Sequence, residues 1–328
     1  MFDTIHAELT AAQCGGVDLI SYVPQFMEGS RNEWRSKGGK VMQVGGYFEN
    51  MHIKATEYRV RVEGSLHKYA KGENITQMTF EEAAAAVEQM SAALCLPFER
   101  ANVRRFDFGA CMVMSEPAEI YLQALGGLVY KKRAVAKREQ ESATSLRYEM
   151  QYQNKPAAVV LAIYDKIAEM QSKGRREAIP EKYRGKNILR AEIRFCKSVA
   201  SYWGMKRVTV GDLCSPTIWR AAVDIWEQTI NKIEKVETNE IREGACESLE
   251  AFKLRFLRRS VAQCGGVEAF IEKEIKAKQK RGEMSKQVAY RCRELTRKAC
   301  ECEPSEGGGA IGEEINKKVK ETAERLRA

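Results

Sequence analysis

Histidine and proline are scarce in this chain: of 328 residues, three are His and seven are Pro. The three histidines, His6, His52 and His67, make no His-x-His pair, so a histidine-rich metal centre is not expected. The ten cysteines never fall as Cys-x-x-Cys, which disfavours a zinc ribbon. Cys292, Cys300 and Cys302 are their one cluster. No apolar run approaches about 18 residues, so no membrane span is expected. The opening segment, MFDTIH, lacks the basic and apolar regions of a secretory signal. The cysteines are therefore expected as reduced, small hydrophobes in a cytoplasmic protein. At 44% hydrophobic and 30% charged, the composition is that of a folded soluble chain, long enough for one to three domains.

What is there is positive charge. Lys and Arg number 54 against 45 Asp and Glu, a net charge of +9. That balance favours a polyanionic partner, because Lys and Arg displace counterions from phosphates.

Patterning divides the chain. Up to about residue 210, strands and helices alternate. Residues 3–9, 41–48, 57–63, 103–114, 145–152, 157–163 and 189–196 read as strands. In 57–63, Tyr58, Val60 and Val62 share one face. In 103–114, Phe106, Phe108 and Ala110 oppose Arg105, Asp107 and Gly109. Thr79 and Glu82 form a capping box that opens a helix running to about Leu94. A second helix is expected over 118–125, a basic linker over 131–138, and a third helix from near Tyr164. The fold class is α+β: a mixed, mostly antiparallel sheet with flanking helices, plus a C-terminal helical region. Three units are expected: a domain over 1–210, a helical accessory or DNA-binding domain over 211–303, and a linker with a charged terminal helix over 304–328. Within the second unit, Trp219, Val223, Trp226 and Ile230 line one face of a helix over 216–236. AQCGGV occurs at both 12–17 and 262–267, in different surroundings, and reads as two similar loops.

Three features carry potential chemistry. Glu63, Asp107 and Glu192 each interrupt an alternating strand among arginines such as Arg105, Arg190 and Arg194. Such a pattern serves either salt bridges on a solvated sheet face or a carboxylate cluster suited to Mg²⁺ or Mn²⁺. Tyr164 sits where an apolar strand gives way to a helix, with Lys166 two residues on. It is either a tyrosine capping a core strand or a nucleophile for phosphorus. The segment 64–74, GSLHKYAKGEN, offers Ser65, His67, Lys68, Lys71 and Asn74 to phosphates, or is simply a basic surface loop; Arg105, Arg190 and Arg194 are expected as further DNA contacts.

Taken in order, FDTIHAEL, VRVEGSLHKYAKGEN, VRRFDFGA, AAVVLAIYDKIAE and LRAEIRF resemble segments of one family over residues 1–210. It is that of the filamentous-phage replication initiation endonucleases and related plasmid rolling-circle initiators. The resemblance implies that Tyr164 is the nucleophile and that Lys166 lies beside the scissile phosphate. It implies that Asp107, Glu192 and Glu63 serve the metal. Related endonucleases use a His-hydrophobic-His motif, which this chain lacks.

The expected function is nicking of one strand at an origin in supercoiled, locally single-stranded DNA. A 5′-phosphotyrosine and a 3′-OH primer would form, and the strands would be rejoined at termination. Host helicase and polymerase are possible partners. The alternatives are a non-catalytic DNA-binding replication regulator and a mobilisation relaxase. For a regulator, Arg258, Arg259 and the run 276–281 would supply a helix-turn-helix-like reader.

Overall fold

A computed structural model describes residues 2–35, 42–131, 134–150, 158–197, 199–235, 263–301 and 308–327, with short helical pieces at 257 and 260–261. Its centre is a ten-stranded sheet in which each neighbour pair is antiparallel. Its strands are β1 (Phe2–Thr10), β2 (Glu28–Arg35), β3 (Met42–Phe48), β4 (Met51–Thr56), β5 (Arg59–Ser65), β6 (Asn102–Met114), β9 (Lys137–Ser142), β10 (Ser145–Met150), β11 (Val159–Asp165) and β12 (Asn187–Phe195). They lie in the order β2-β3-β4-β5-β1-β6-β12-β11-β10-β9. The α+β expectation is borne out.

Alternation sets the two faces. In β6, Phe106, Phe108, Ala110, Met112 and Met114 are buried in the core, and Arg105 and Asp107 point the other way. Helices seal the apolar face: Phe80–Leu94, Ala118–Ala124, Pro216–Asn231 and Gly308–Arg327 all bury residues in the same core. Thr79 and Glu82 make the capping box in full. Trp219, Val223, Trp226 and Ile230 are buried as the helical spacing predicts. Trp226 donates through Nε1 to the Ala191 carbonyl at 2.9 Å, and Trp219 to the Leu326 carbonyl at 2.6 Å. The core thus runs on past residue 210, and the terminal helix is one of its walls.

Some local expectations are corrected. Tyr58 precedes β5 and is 64% exposed, so only Val60 and Val62 share the buried face. The stretch expected as a basic linker lies between and within short strands, Leu125–Lys131, Ala134–Val135 and Lys137–Ser142, because the backbone pairs regardless of the charges it carries. Tyr164 is still in β11. The helix begins at Lys166, where Asp165 caps it by accepting from the backbone N–H groups of Ile167 and Ala168. The 216–236 helix ends at Asn231 and is followed by a short strand, β13 (Ile233–Lys235). Beyond it, 267–280 and Lys286–Glu301 are helical. Arg258, Arg259 and residues 304–307 lie outside the described residues.

The two AQCGGV segments each place both glycines at positive φ, +74° and +76° at Gly15 and Gly16, +93° and +103° at Gly265 and Gly266. The second is a docking point. A Cβ on Gly266 would overlap the Glu234 carboxylate, which accepts from the Val267 N–H at 3.3 Å.

Candidate active site

The site is built where β1 loses its regular register. Phe2 pairs with Phe108 and Ile5 with Phe106, so β1 spends one residue more than β6 over this stretch. That β-bulge keeps Phe2 and Ile5 in the core while Asp3 turns to the polar side. There Asp3 is buried and accepts from the Arg190 guanidinium at 2.6 Å, the Ser65 hydroxyl at 2.5 Å and the Asn74 amide at 3.0 Å. Burial alone would raise its pKa. Arg190, with Ser65, Lys166 and Asn74, overcomes this and holds the carboxyl near 2.

Arg190 is fully buried. Besides Asp3 it reaches the Asn74 carbonyl at 2.7 Å and Glu192 Oε2 at 3.3 Å. Glu192 Oε2 also accepts from the Tyr164 hydroxyl at 3.3 Å. Tyr164 and Arg190 are cross-strand partners in β11 and β12, which places the phenol on the same face as the acids. Burial, then the neighbouring Glu192 charge, pushes the phenol pKa well above 10, so the resting group is neutral.

Asp107 and Glu192 come together through arginines. Arg194 Nε lies 2.8 Å from Glu192 Oε1 and 3.9 Å from Asp107 Oδ2, and Arg105 grips Asp107 with two bonds of 2.9 and 2.6 Å. Burial raises the Asp107 pKa to about 6, the Glu192 charge adding to it against Arg105 and Arg194. Arg105 and Arg194 are half-buried, with about a third of each side chain accessible.

Lys166 is buried at the first turn of its helix, 6.0 Å from the centre of the Tyr164 ring. It donates to Glu169 at 2.7 Å, and Lys173 grips the same carboxylate. Burial disfavours the Glu169 charge, but the two lysines hold that carboxyl near pKa 2.

The loop residues are placed differently from a DNA-gripping loop. Ser65 caps the helix Leu66–Lys71 and serves Asp3, and Asn74 serves Asp3 and Arg190. His67 is fully buried, and burial lowers its pKa to about 4. Lys71 pairs with Glu82 at 2.6 Å, and Lys68 is half-buried. Inward-facing caps and a hidden histidine make this segment a brace for Asp3.

Glu63 does not join the other acids. It sits on β5, opposite His6 on β1 and His52 on β4, 3.8 Å from both His6 Nδ1 and Lys54 Nζ. With strands about 4.8 Å apart, two steps across the sheet separate it from Asp107 and three from Glu192, at least about 10 and 14 Å before their displacement along the strands is added. A divalent ion joins ligands within a few ångströms. Among the described residues, no three His, Cys, Asp or Glu side chains are grouped to hold one. The Asp107–Glu192 pair is instead occupied by guanidinium groups, so these residues as placed do not fit a three-acid Mg²⁺ or Mn²⁺ site.

The sequence reading missed Asp3. Its one signal is an acid within the otherwise apolar start of β1. It also missed Glu169, three residues after Lys166 and so on the same helix face.

Fold and site together define a basic α+β protein with a tyrosine, paired carboxylates and buried arginine on one sheet face. The chain belongs to the phage CRI family of replication-associated proteins, whose N-terminal model matches residues 1–211. It is thus a phage replication-associated protein. No curated protein and no solved structure matches it. Among the described residues, no helix is long and apolar enough to cross a membrane.

Proposed function

We propose that the chain is a rolling-circle replication initiator that cuts one strand of origin DNA with Tyr164. The observation that carries this reading is the 3.3 Å contact between the Tyr164 hydroxyl and Glu192 Oε2. It lies where five separated sequence segments converge on one polar face.

The neutral phenol is a poor nucleophile and must lose its proton to attack. Glu192 is the carboxylate in contact and takes that proton as the Tyr164 oxygen bonds to phosphorus. The P–O3′ bond breaks, the leaving oxygen becomes a 3′-OH after taking up a proton, and the 5′ end stays on the tyrosine. Arg194 and Arg105, whose side chains are partly accessible, neutralise phosphoryl charge. Lys166 is within reach of the same phosphate once it leaves Glu169. Glu63, Asp107 and Glu192 as placed do not form a metal cage, so neutralising the phosphoryl charge falls to the arginines. The 3′-OH primes synthesis, and the reverse attack by a 3′-OH on the adduct rejoins the strand. Host helicase and polymerase would act on the opened duplex.

The test is an adduct assay on supercoiled DNA bearing the replication origin of the genome that encodes the chain, run with and without added Mg²⁺ or Mn²⁺. Nicked circles and a protein band carrying covalent DNA, both lost in Tyr164→Phe, are the expected result. DNA binding with neither nick nor adduct under any condition would leave a binding protein.

A further inference from the structure

Two helical segments near the C-terminus form a small unit with its own core. Ile271, Ile275 and Ala289 are buried, with Val267, Phe270 and Met284 packed around them. The first segment spans 267–280, with a π-helical stretch at Ile271–Lys276, and the second is Lys286–Glu301. They are joined by 281–285. Gly282 reverses the chain at φ +76°, and Ser285 caps the second helix by accepting from the Val288 N–H at 3.3 Å. Ala289 is wholly buried, and its small side chain lets the two segments approach closely. Thr296, two turns on, is also buried.

The charges of the two segments are used differently. In the first, Lys276 pairs with Glu272 and Lys278 with Glu274, while Arg281 in the turn pairs with Glu283. The run 276–281, read from sequence as the basic reader, is largely neutralised by its own neighbours. In the second, Lys286, Arg291 and Arg293 make no ion pair among the described residues; Arg297 alone is paired, with Glu294. Also exposed on this helix are Gln287, Glu294 and three apolar side chains, Val288 at 47%, Tyr290 at 59% and Leu295 at 50% exposure. Helical spacing gathers Gln287, Tyr290, Arg291 and Glu294 on the side away from the buried Ala289 and Thr296, with Lys286 and Arg293 at its flank. A side of cations, an amide and an exposed ring, held on a partner helix by a short capped turn, matches what a DNA major groove accepts.

We infer that the Lys286–Glu301 helix reads duplex DNA in the major groove. Gln287, Tyr290 and Arg291 reach base edges, and Lys286 and Arg293 hold phosphates. The inference goes beyond the nicking chemistry and does not depend on it. It gives the chain a duplex-reading element separate from the face that bears Tyr164.

The test uses the full-length chain. It is equilibrated with a pool of DNA duplexes carrying a randomised central segment, bound duplexes are recovered, and the enriched sequence is titrated by fluorescence anisotropy. Wild type is expected to enrich a defined motif. Arg291→Ala should bind that duplex about ten- to a hundredfold more weakly, and an unselected duplex only severalfold more weakly. Gln287→Ala should shift the preferred bases. Lys278→Ala, on the self-paired segment, should change affinity by less than about threefold. Circular dichroism should show both exposed-site variants folded. Absence of a motif, or a motif unaltered in Gln287→Ala and Arg291→Ala, overturns the inference. Cleavage of single-stranded origin DNA needs no duplex reader and should be unchanged in Arg291→Ala. Loss of cleavage there would move the effect to the sheet face and likewise overturn it.

Discussion

The Tyr164 hydroxyl and the Glu192 carboxylate meet at 3.3 Å, and Arg190 and Arg194 fix the carboxylate from two sides. Glu192→Gln keeps the shape and removes the acceptor charge. Nicking should fall by about 10²- to 10⁴-fold, the usual contribution of a positioned base, with DNA affinity nearly unchanged. Because the phenol is held above its ordinary pKa of 10 by burial and by Glu192, nicking by this variant should climb with pH through the alkaline range. Single-turnover cleavage across pH measures both effects.

Glu63 gives the contrasting expectation. It faces His6, His52 and Lys54, at least about 14 Å from Glu192 by strand spacing. Glu63→Gln should leave the single-turnover nicking rate within about threefold of wild type, a value consistent with losing only exposed ion pairs. A loss as large as that of Glu192→Gln would bring Glu63 into the reaction after all.

His67 sets an acid limit on stability. Its folded pKa of about 4 lies below the unfolded value of 6.5, because burial disfavours the charged ring. The neutral ring's contribution is present above pH 6.5 and is lost as pH falls from there through 4. The loss amounts to about 3 kcal/mol. Asp3 and Glu169, held near 2, add a second loss only below about pH 4. Asp107 works the other way over the same range, because its carboxyl, raised to about 6, takes up a proton more readily in the folded chain. The expected result is therefore a difference between variants: as pH falls from 7 to 5, the denaturant midpoint of His67→Met should gain on that of wild type, even if the variant starts from a lower midpoint.

Gly266 and Gly15 separate backbone strain from docking. Both have positive φ, but a Cβ at Gly15 meets nothing within 4 Å, whereas at Gly266 it overlaps Glu234. Gly15→Ala should cost about 1 kcal/mol. Gly266→Ala should cost about 2–3 kcal/mol, since it adds an unfavourable φ to the loss of the Glu234–Val267 contact. It should also speed amide exchange in 267–280. Thermal melts and hydrogen exchange distinguish the two.

Much of the fold was legible because its signals are local. The alternation of Phe106, Phe108 and Ala110, the Thr79–Glu82 box and the Trp219–Trp226 stripe each need only neighbours in sequence. The site was legible in part. Periodicity showed that Glu63, Asp107 and Glu192 occupy polar positions, but strand order decides which acids meet, and that order is set by long-range pairing. Ser65 and Asn74 have the composition of a phosphate-binding loop and of a capping loop alike. Only the bulge at Asp3, invisible without the partner strand, directs them inward. The 131–138 segment reads as a linker because its charges mask a backbone that pairs.

Trp219 touches both ends of the described chain. Its ring lies edge-on to Phe2 at 4.9 Å, and its indole N–H is bonded to the Leu326 carbonyl. Synthesis on a ribosome therefore delivers the first strand and the helix that helps cover it some three hundred residues apart. Until residues 308–327 emerge, the sheet's apolar side lacks one wall, and the nascent chain carries an unsealed surface that chaperones can hold. Closure of the sheet behind β1 and β12 thereby waits for residues 308–327.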